Sequence, residues 1–296
     1  MRWKRGSSSR DVIDLRGRSG RAGGRGMAMP VGGGLGLAGV VVFLLLQVLG
    51  GGGAGGAAFD VPTGFDEALQ APGGEALPPG QDPDRDLRDF SVYVFNDAQA
   101  MWQQTFEAQA RPYERAKLVL YRGGVDTAGC GSASSAVGPF YCPADRRVYL
   151  DLSFYRDMES QLGASGDFAW AYVIAHEMGH HVQQQLGTSD EVNALQRDDP
   201  GRANDLSVRL ELQADCYAGV WARSVFEEGA LEAGDVDEAF GAAEAVGDDR
   251  LQRQAGRGVD PDSFTHGSSA QRRRWFDRGR QGGEPAACDT FSADAV

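Results

Sequence analysis

The sequence predicts an α+β fold, mostly helical with a small β-sheet or hairpin, behind a single N-terminal transmembrane helix. Two observations predict it. Runs of strand character at 117–121, 140–142 and 147–152 come early, and only helical runs follow them. Strands segregated before helices mark an α+β chain, not an alternating α/β one. The stretch 31–50 carries no charge and contains Val40-Val41-Val42-Phe43-Leu44-Leu45-Leu46. That is about the 20 residues a spanning helix requires.

Residues 1–30 hold eight basic side chains against Asp11 and Asp14. The positive-inside bias makes 1–30 a basic cytoplasmic tail and 31–50 a single-pass anchor, with an extracytoplasmic C-terminal domain at the cell membrane. A cleaved signal peptide is the competing reading, with Ala54-Gly55-Gly56-Ala57 as cleavage site, but its basic region would be unusually long. Residues 51–87 read as a flexible Gly/Pro-rich linker and 88–296 as the folded domain. Beyond residue 30 the chain has 21 basic and 40 acidic residues, a net charge of −19. So acidic a domain is a poor nucleic-acid binder, because that activity depends on basic surface.

Each element of the domain has its own signal. Val92, Val94, Phe95, Ala98, Met101, Trp102, Thr105 and Phe106 form a helical stripe over 89–109. Lys117-Leu118-Val119-Leu120-Tyr121 reads as a strand, and 123–138 as a loop. Phe140-Tyr141-Cys142, the Pro143-Ala144-Asp145 turn and 147–152 form a hairpin. The 147–152 strand is expected to border the cleft and pair with an extended substrate. Helices follow at 155–163, 168–186, 206–228, 236–254 and 268–278, the last capped by Ser268 or Ser269. Of the three possible cysteine pairings, proximity favours Cys130–Cys142, leaving Cys216–Cys288 to fasten the tail to a helix.

The chemistry concentrates in His176-Glu177-Met178-Gly179-His180 within the 168–186 helix. Histidines four apart share a helix face, so His176 and His180 can grip one Zn²⁺, with Glu177 beside it as general base. A third histidine at the six-residue spacing is excluded, because Leu186 stands there and Gln183 replaces the glycine of that pattern. The best third ligand is Glu211 on the next long helix, with Asp215 four residues on to hold a ligating histidine's free N–H. Asp190 and Glu191 are weaker ligand candidates. His181 points about 100° away from His180 and reads as a packing residue. His266 is the remaining histidine, a candidate donor to the oxyanion of amide hydrolysis, with Tyr217 and Tyr149 in reserve. Gly179 inside a helix implies close approach of another backbone.

Taken in order, these segments resemble a bacterial family of membrane-anchored neutral zinc metallopeptidases. The likeness rests on Met1-Arg2-Trp3, residues 11–17, Gly138-Pro139-Phe140-Tyr141-Cys142-Pro143, Val148-Tyr149-Leu150-Asp151, residues 176–181, residues 211–219 and Thr265-His266-Gly267-Ser268-Ser269-Ala270-Gln271-Arg272. Glu211-Leu212-Gln213-Ala214-Asp215 also resembles the gluzincin pattern, in which the glutamate is a zinc ligand and the aspartate backs a histidine. The resemblance implies a zincin-like core and a zinc endopeptidase acting on peptides or unfolded proteins in the cell envelope. Two other functions fit the same residues: a non-catalytic, zinc-stabilised envelope binding or scaffold domain, and a zinc amidase acting on cell-wall peptides.

Overall fold

The strands at 117–121 and 147–152 are apolar on both faces, which requires cover on both sides of a sheet. A computed structural model describes residues 1–5, 9–17, 80, 82–134, 137–294 and 296 and shows that cover. The described elements run β1 (Val12–Asp14), α1 (Arg85–Ala108), β2 (Lys117–Tyr121), β3 (Gly124–Asp126), β4 (Ser132–Ser134), β5 (Phe140–Cys142) and β6 (Arg147–Asp151). Helices α2 (Phe154–Ser160), α3 (Asp167–Leu186), α4 (Thr188–Asp198), α5 (Ala203–Glu227), α6 (Asp235–Ala245), α7 (Asp248–Gln254) and α8 (Ser269–Gly282) complete the set. The α+β class holds.

The main sheet has the order β1-β2-β6-β5. Strands β1, β2 and β6 are parallel, and β5 returns antiparallel on β6, with Tyr141 opposite Val148. Side chains alternate across the pleat. Leu118, Leu120, Val148 and Leu150 join Phe95, Phe168 and Tyr172 in the main core, while Val119, Tyr121 and Tyr149 face a smaller core with Cys130 and Cys142. The Cys130–Cys142 and Cys216–Cys288 disulfides are both formed.

Four elements differ from those expected. The 123–138 segment contains the small β3–β4 hairpin. The expected 236–254 helix is two helices, because Gly247 packs its backbone against Ser269, where a Cβ would lie 2.3 Å from the Ser269 nitrogen. No helix is expected between 186 and 206, yet α4 forms there. The polar run after Gly187, which ends α3 at φ 83°, forms a separate helix. Finally, β6 has partners on both sides, so the edge strand on that side of the sheet is β5 and not the expected 147–152.

The expected boundary between a separate 1–30 tail and an 88–296 domain also shifts. Val12, Ile13 and Asp14 pair in parallel register with Leu118, Val119 and Leu120. Met1 is buried in the main core and Trp3 lies edge-on against Phe90 at 5.3 Å. The Met1 ammonium meets Asp167 at 3.0 Å, Glu232 at 3.1 Å and Asp235 at 3.2 Å. Burial lowers its pKa, but these carboxylates more than offset that and raise it to about 10. The acidic cluster Asp167, Asp235 and Glu238 thus serves this amine and, through Glu238, the Phe168 N–H at the start of α3. The expected anchor at 31–50 and nearly all of the 51–87 linker up to 79 lie outside the described residues. Among the described residues no helix is long and apolar enough to cross a membrane.

Candidate metal centre

Helix α3 presents His176 and His180 one turn apart, their rings 4.7 Å apart and nearly perpendicular. Helix α5 brings Glu211 to both. Its Oε2 lies 3.3 Å from His176 Nε2 and its Oε1 lies 3.4 Å from His180 Nε2. Gly179 makes this approach possible, because a Cβ there would stand 2.9 Å from the Ala214 carbonyl oxygen and 3.0 Å from its Cα. The glycine is therefore needed for α3 and α5 to touch beside the centre.

Both histidines are held from behind. His176 Nδ1–H donates to Asp215 Oδ1 at 2.8 Å. Asp215 is fully buried and also accepts from the Tyr172 hydroxyl and from Arg272 Nε and Nη2, at 2.8 and 2.9 Å. Burial raises the Asp215 pKa, but Arg272 and then His176 pull it below the ordinary value, so it stays ionised. His180 Nδ1–H donates to Gln183 Oε1 at 2.8 Å. The Gln183 amide donates in turn to the Leu210 carbonyl at 2.6 Å and to Gln213 Oε1 at 3.1 Å. With both Nδ1 atoms occupied, Nε2 is the atom that each ring turns toward Glu211.

This donor set fits zinc. Two imidazole nitrogens and a carboxylate are a known catalytic combination for it. Ligands about 2.0–2.1 Å from an ion at tetrahedral angles stand about 3.3–3.4 Å apart, the separations seen between Glu211 and the two histidines. His180 and Glu211 each keep 18% of the side chain exposed, so one face of the cluster opens to solvent.

Around the cluster, Glu177 is buried and accepts the backbone N–H of Tyr141 on β5. Burial raises its pKa, against the pull of His176 and His180. Glu211 shows the opposite balance. Burial raises it, yet His180, His176 and His266 hold it well below the usual carboxylate range. His266 is buried in the turn just ahead of α8, within the electrostatic field of Glu211, and its Nδ1 lies 3.2 Å from Asp248 Oδ1. Asp248 also accepts the backbone N–H groups of Thr265, His266 and Gly267, which pins that turn. Burial lowers the His266 pKa, but Asp248 and Glu211 raise it overall.

The structure thus gathers His176, Glu177, His180, Glu211, Asp215 and His266 into one region. It leaves other candidates elsewhere. Tyr149 gives its hydroxyl to Asp145 and stacks on Phe140, and Tyr217 packs edge-on against Trp102 in an apolar cluster. Asp190 and Glu191 begin α4, where Asp190 accepts from Gln184. His181 donates from Nε2 to the Glu114 carbonyl and accepts at Nδ1 from the Tyr141 hydroxyl. Three residues had no assigned role in the sequence reading. Arg272 and Tyr172 complete the surroundings of Asp215, and Gln183 orients His180. Gln183 carried a readable signal, since it lies three residues after His180 on the same helix face.

The family model described as "Putative neutral zinc metallopeptidase" matches residues 1–291. The chain belongs to this family. It is 47% identical to the uncharacterized protein YpfJ of Escherichia coli K12, across 98% of this chain and 99% of that protein. It is 45% identical to the uncharacterized protein Rv2575 of Mycobacterium tuberculosis H37Rv, across 72% of this chain and 74% of that protein. The uncharacterized protein Mb2605 of Mycobacterium bovis is similar to the same extent. No solved structure matches the chain. The match takes in both the described N-terminal segment and the cluster of His176, His180 and Glu211.

Proposed function

We propose that this chain is a zinc-dependent endopeptidase, with His176, His180 and Glu211 as the residues that hold the cation. The observation that carries this reading is the convergence of three ligand atoms beside a buried carboxylate, on a cluster with one open face. When bound, zinc supplies Lewis acidity for a peptide carbonyl and for the attacking water. Glu177, its pKa raised by burial, takes the proton from that water and passes it to the leaving amine. His266, with Asp248 engaging Nδ1, has Nε2 left to donate to the developing oxyanion.

The substrate is a peptide or unfolded protein in extended form. Strand β5 lies at the end of the sheet and beside α3, with Tyr141 contacting both Glu177 and His181. An extended segment laid along β5 would be carried past the cluster by strand addition. The two disulfides support an oxidising, extracytoplasmic compartment for the domain.

The test uses the purified chain with a denatured protein as substrate. The parent should hydrolyse it and a chelator should stop the reaction. Glu177→Gln should retain zinc and lose turnover. Cleavage at the parental rate by this variant would remove Glu177 as general base. Zinc binding without any hydrolysis by the parent would favour a scaffold function instead.

A further inference from the structure

We infer that residues 1–17 and the domain bearing the metal centre lie on the same side of any membrane the chain meets. The described N-terminal residues are structural members of that domain. Strand β1 extends the sheet beyond β2, and the pairing continues past its ends: the Leu15 N–H donates to the Leu120 carbonyl at 2.8 Å, and the Leu118 N–H to the Asp11 carbonyl at 2.7 Å. The Asp11 carboxylate is met by Arg115 at 2.7 Å and by Lys117 at 2.6 Å.

The decisive contact is Arg16. Its side chain is 1% exposed and its guanidinium is shared between Asp14 at 2.7 Å and Asp82 at 2.8 Å. Burial lowers the Arg16 pKa, but the hydrogen bonds and charges of Asp14 and Asp82 raise it overall. A buried guanidinium separated from its carboxylates is strongly unfavourable, so the arrangement depends on Asp82 being there. Asp82 stands on the far side of the intervening stretch, just ahead of α1. The two ends of that stretch are therefore joined through one buried ion pair. A hydrocarbon layer about 30 Å thick cannot lie between groups in hydrogen-bond contact.

This placement conflicts with the expected division into a cytoplasmic 1–30 tail and an exported domain. Such a division would leave β2 as an open edge and would strip Asp11 of Arg115 and Lys117, Asp14 of Arg88 and Arg16 of Asp82. The inference holds whatever reaction the centre performs.

The test places single cysteines at Arg5 and Asp86, which form an exposed ion pair at 3.0 Å across the same junction. The four native cysteines are in disulfides, so each new thiol is the sole reactive one. In intact cells, Arg5→Cys and Asp86→Cys chains should be labelled alike by a membrane-impermeant maleimide: both modified, or both protected until lysis. The double variant Arg5→Cys/Asp86→Cys should also yield a linked peptide pair with a short bifunctional maleimide before lysis. Labelling of one position with protection of the other, or no linked pair despite labelling of both, would overturn the inference.

Discussion

At the level of single residues, the centre is governed by what sits behind each histidine. His176 is backed by a carboxylate whose charge Arg272 offsets, whereas His180 is backed by the neutral amide of Gln183. Removing an orienting partner of this kind typically weakens metal binding about 10–100-fold. Gln183→Leu should therefore lower zinc affinity by about that factor, and Gln183→Glu, which keeps the acceptor, should restore most of it. Competition with a chromophoric chelator measures both, and unchanged affinity in the leucine variant would show that the Gln183 contact is idle. His181 gives a prediction of a different kind. Burial lowers its pKa from 6.5 to about 4. A histidine with a depressed folded-state value binds fewer protons folded than unfolded between those two pH values. Its contribution is complete above about pH 6.5 and is lost as pH falls toward 4, by about 3 kcal/mol in all. His181→Gln should flatten that part of the stability–pH curve relative to the parent, measured by chemical denaturation. Equal slopes would mean that His181 titrates normally. His176, His180, Glu177 and Glu211 could be read from spacing, since four-residue intervals place side chains on one helix face. Arg272 could not, because its role depends on a fold that brings α8 against α3 and α5.

At the level of elements, the centre exists where helices meet without side chains between them. Gly179 lies at the α3–α5 contact, and Gly219 and Gly279 at the α5–α8 contact, where a Cβ on Gly279 would stand 1.9 Å from the Cys216 carbonyl oxygen. In an open helix, replacing glycine with alanine stabilises by about 1 kcal/mol. At Gly179 the sign should reverse. The added methyl must displace the backbone of α5, at a cost of about 1–3 kcal/mol, and it moves Glu211 relative to the histidines. Gly179→Ala should therefore lose both thermal stability and zinc affinity, measured by calorimetry and metal titration. A stabilised variant with intact zinc binding would contradict the close contact. The long helices were legible because their apolar stripes persist for several turns. Strand β1 was not, because three residues carry too little periodicity and its partner lies more than 100 residues away. The break at Gly247 was hidden for a similar reason: its cause is Ser269, a contact distant in the chain.

At the level of the whole molecule, two cores share the main sheet and the helical layer carries the cluster of His176, His180 and Glu211. Strands β2 and β6 share the main core with α1 and α3, and the antiparallel edge strand β5 lies beside Glu177. The Cys216–Cys288 disulfide and the hydrogen bond from Gln213 Nε2 to the Cys288 carbonyl, 3.1 Å, tie the C-terminal tail to the helix that carries Glu211. The account depends most on one cation held between α3 and α5. Metal content after dialysis against zinc tests this directly, in the parent chain, Glu177→Gln and Glu211→Ala. The expected result is one zinc per chain in the parent and in Glu177→Gln, and little or none in Glu211→Ala with its fold intact by circular dichroism. Full zinc occupancy in Glu211→Ala, or none in the parent, would contradict the assignment of His176, His180 and Glu211 as the metal-holding set.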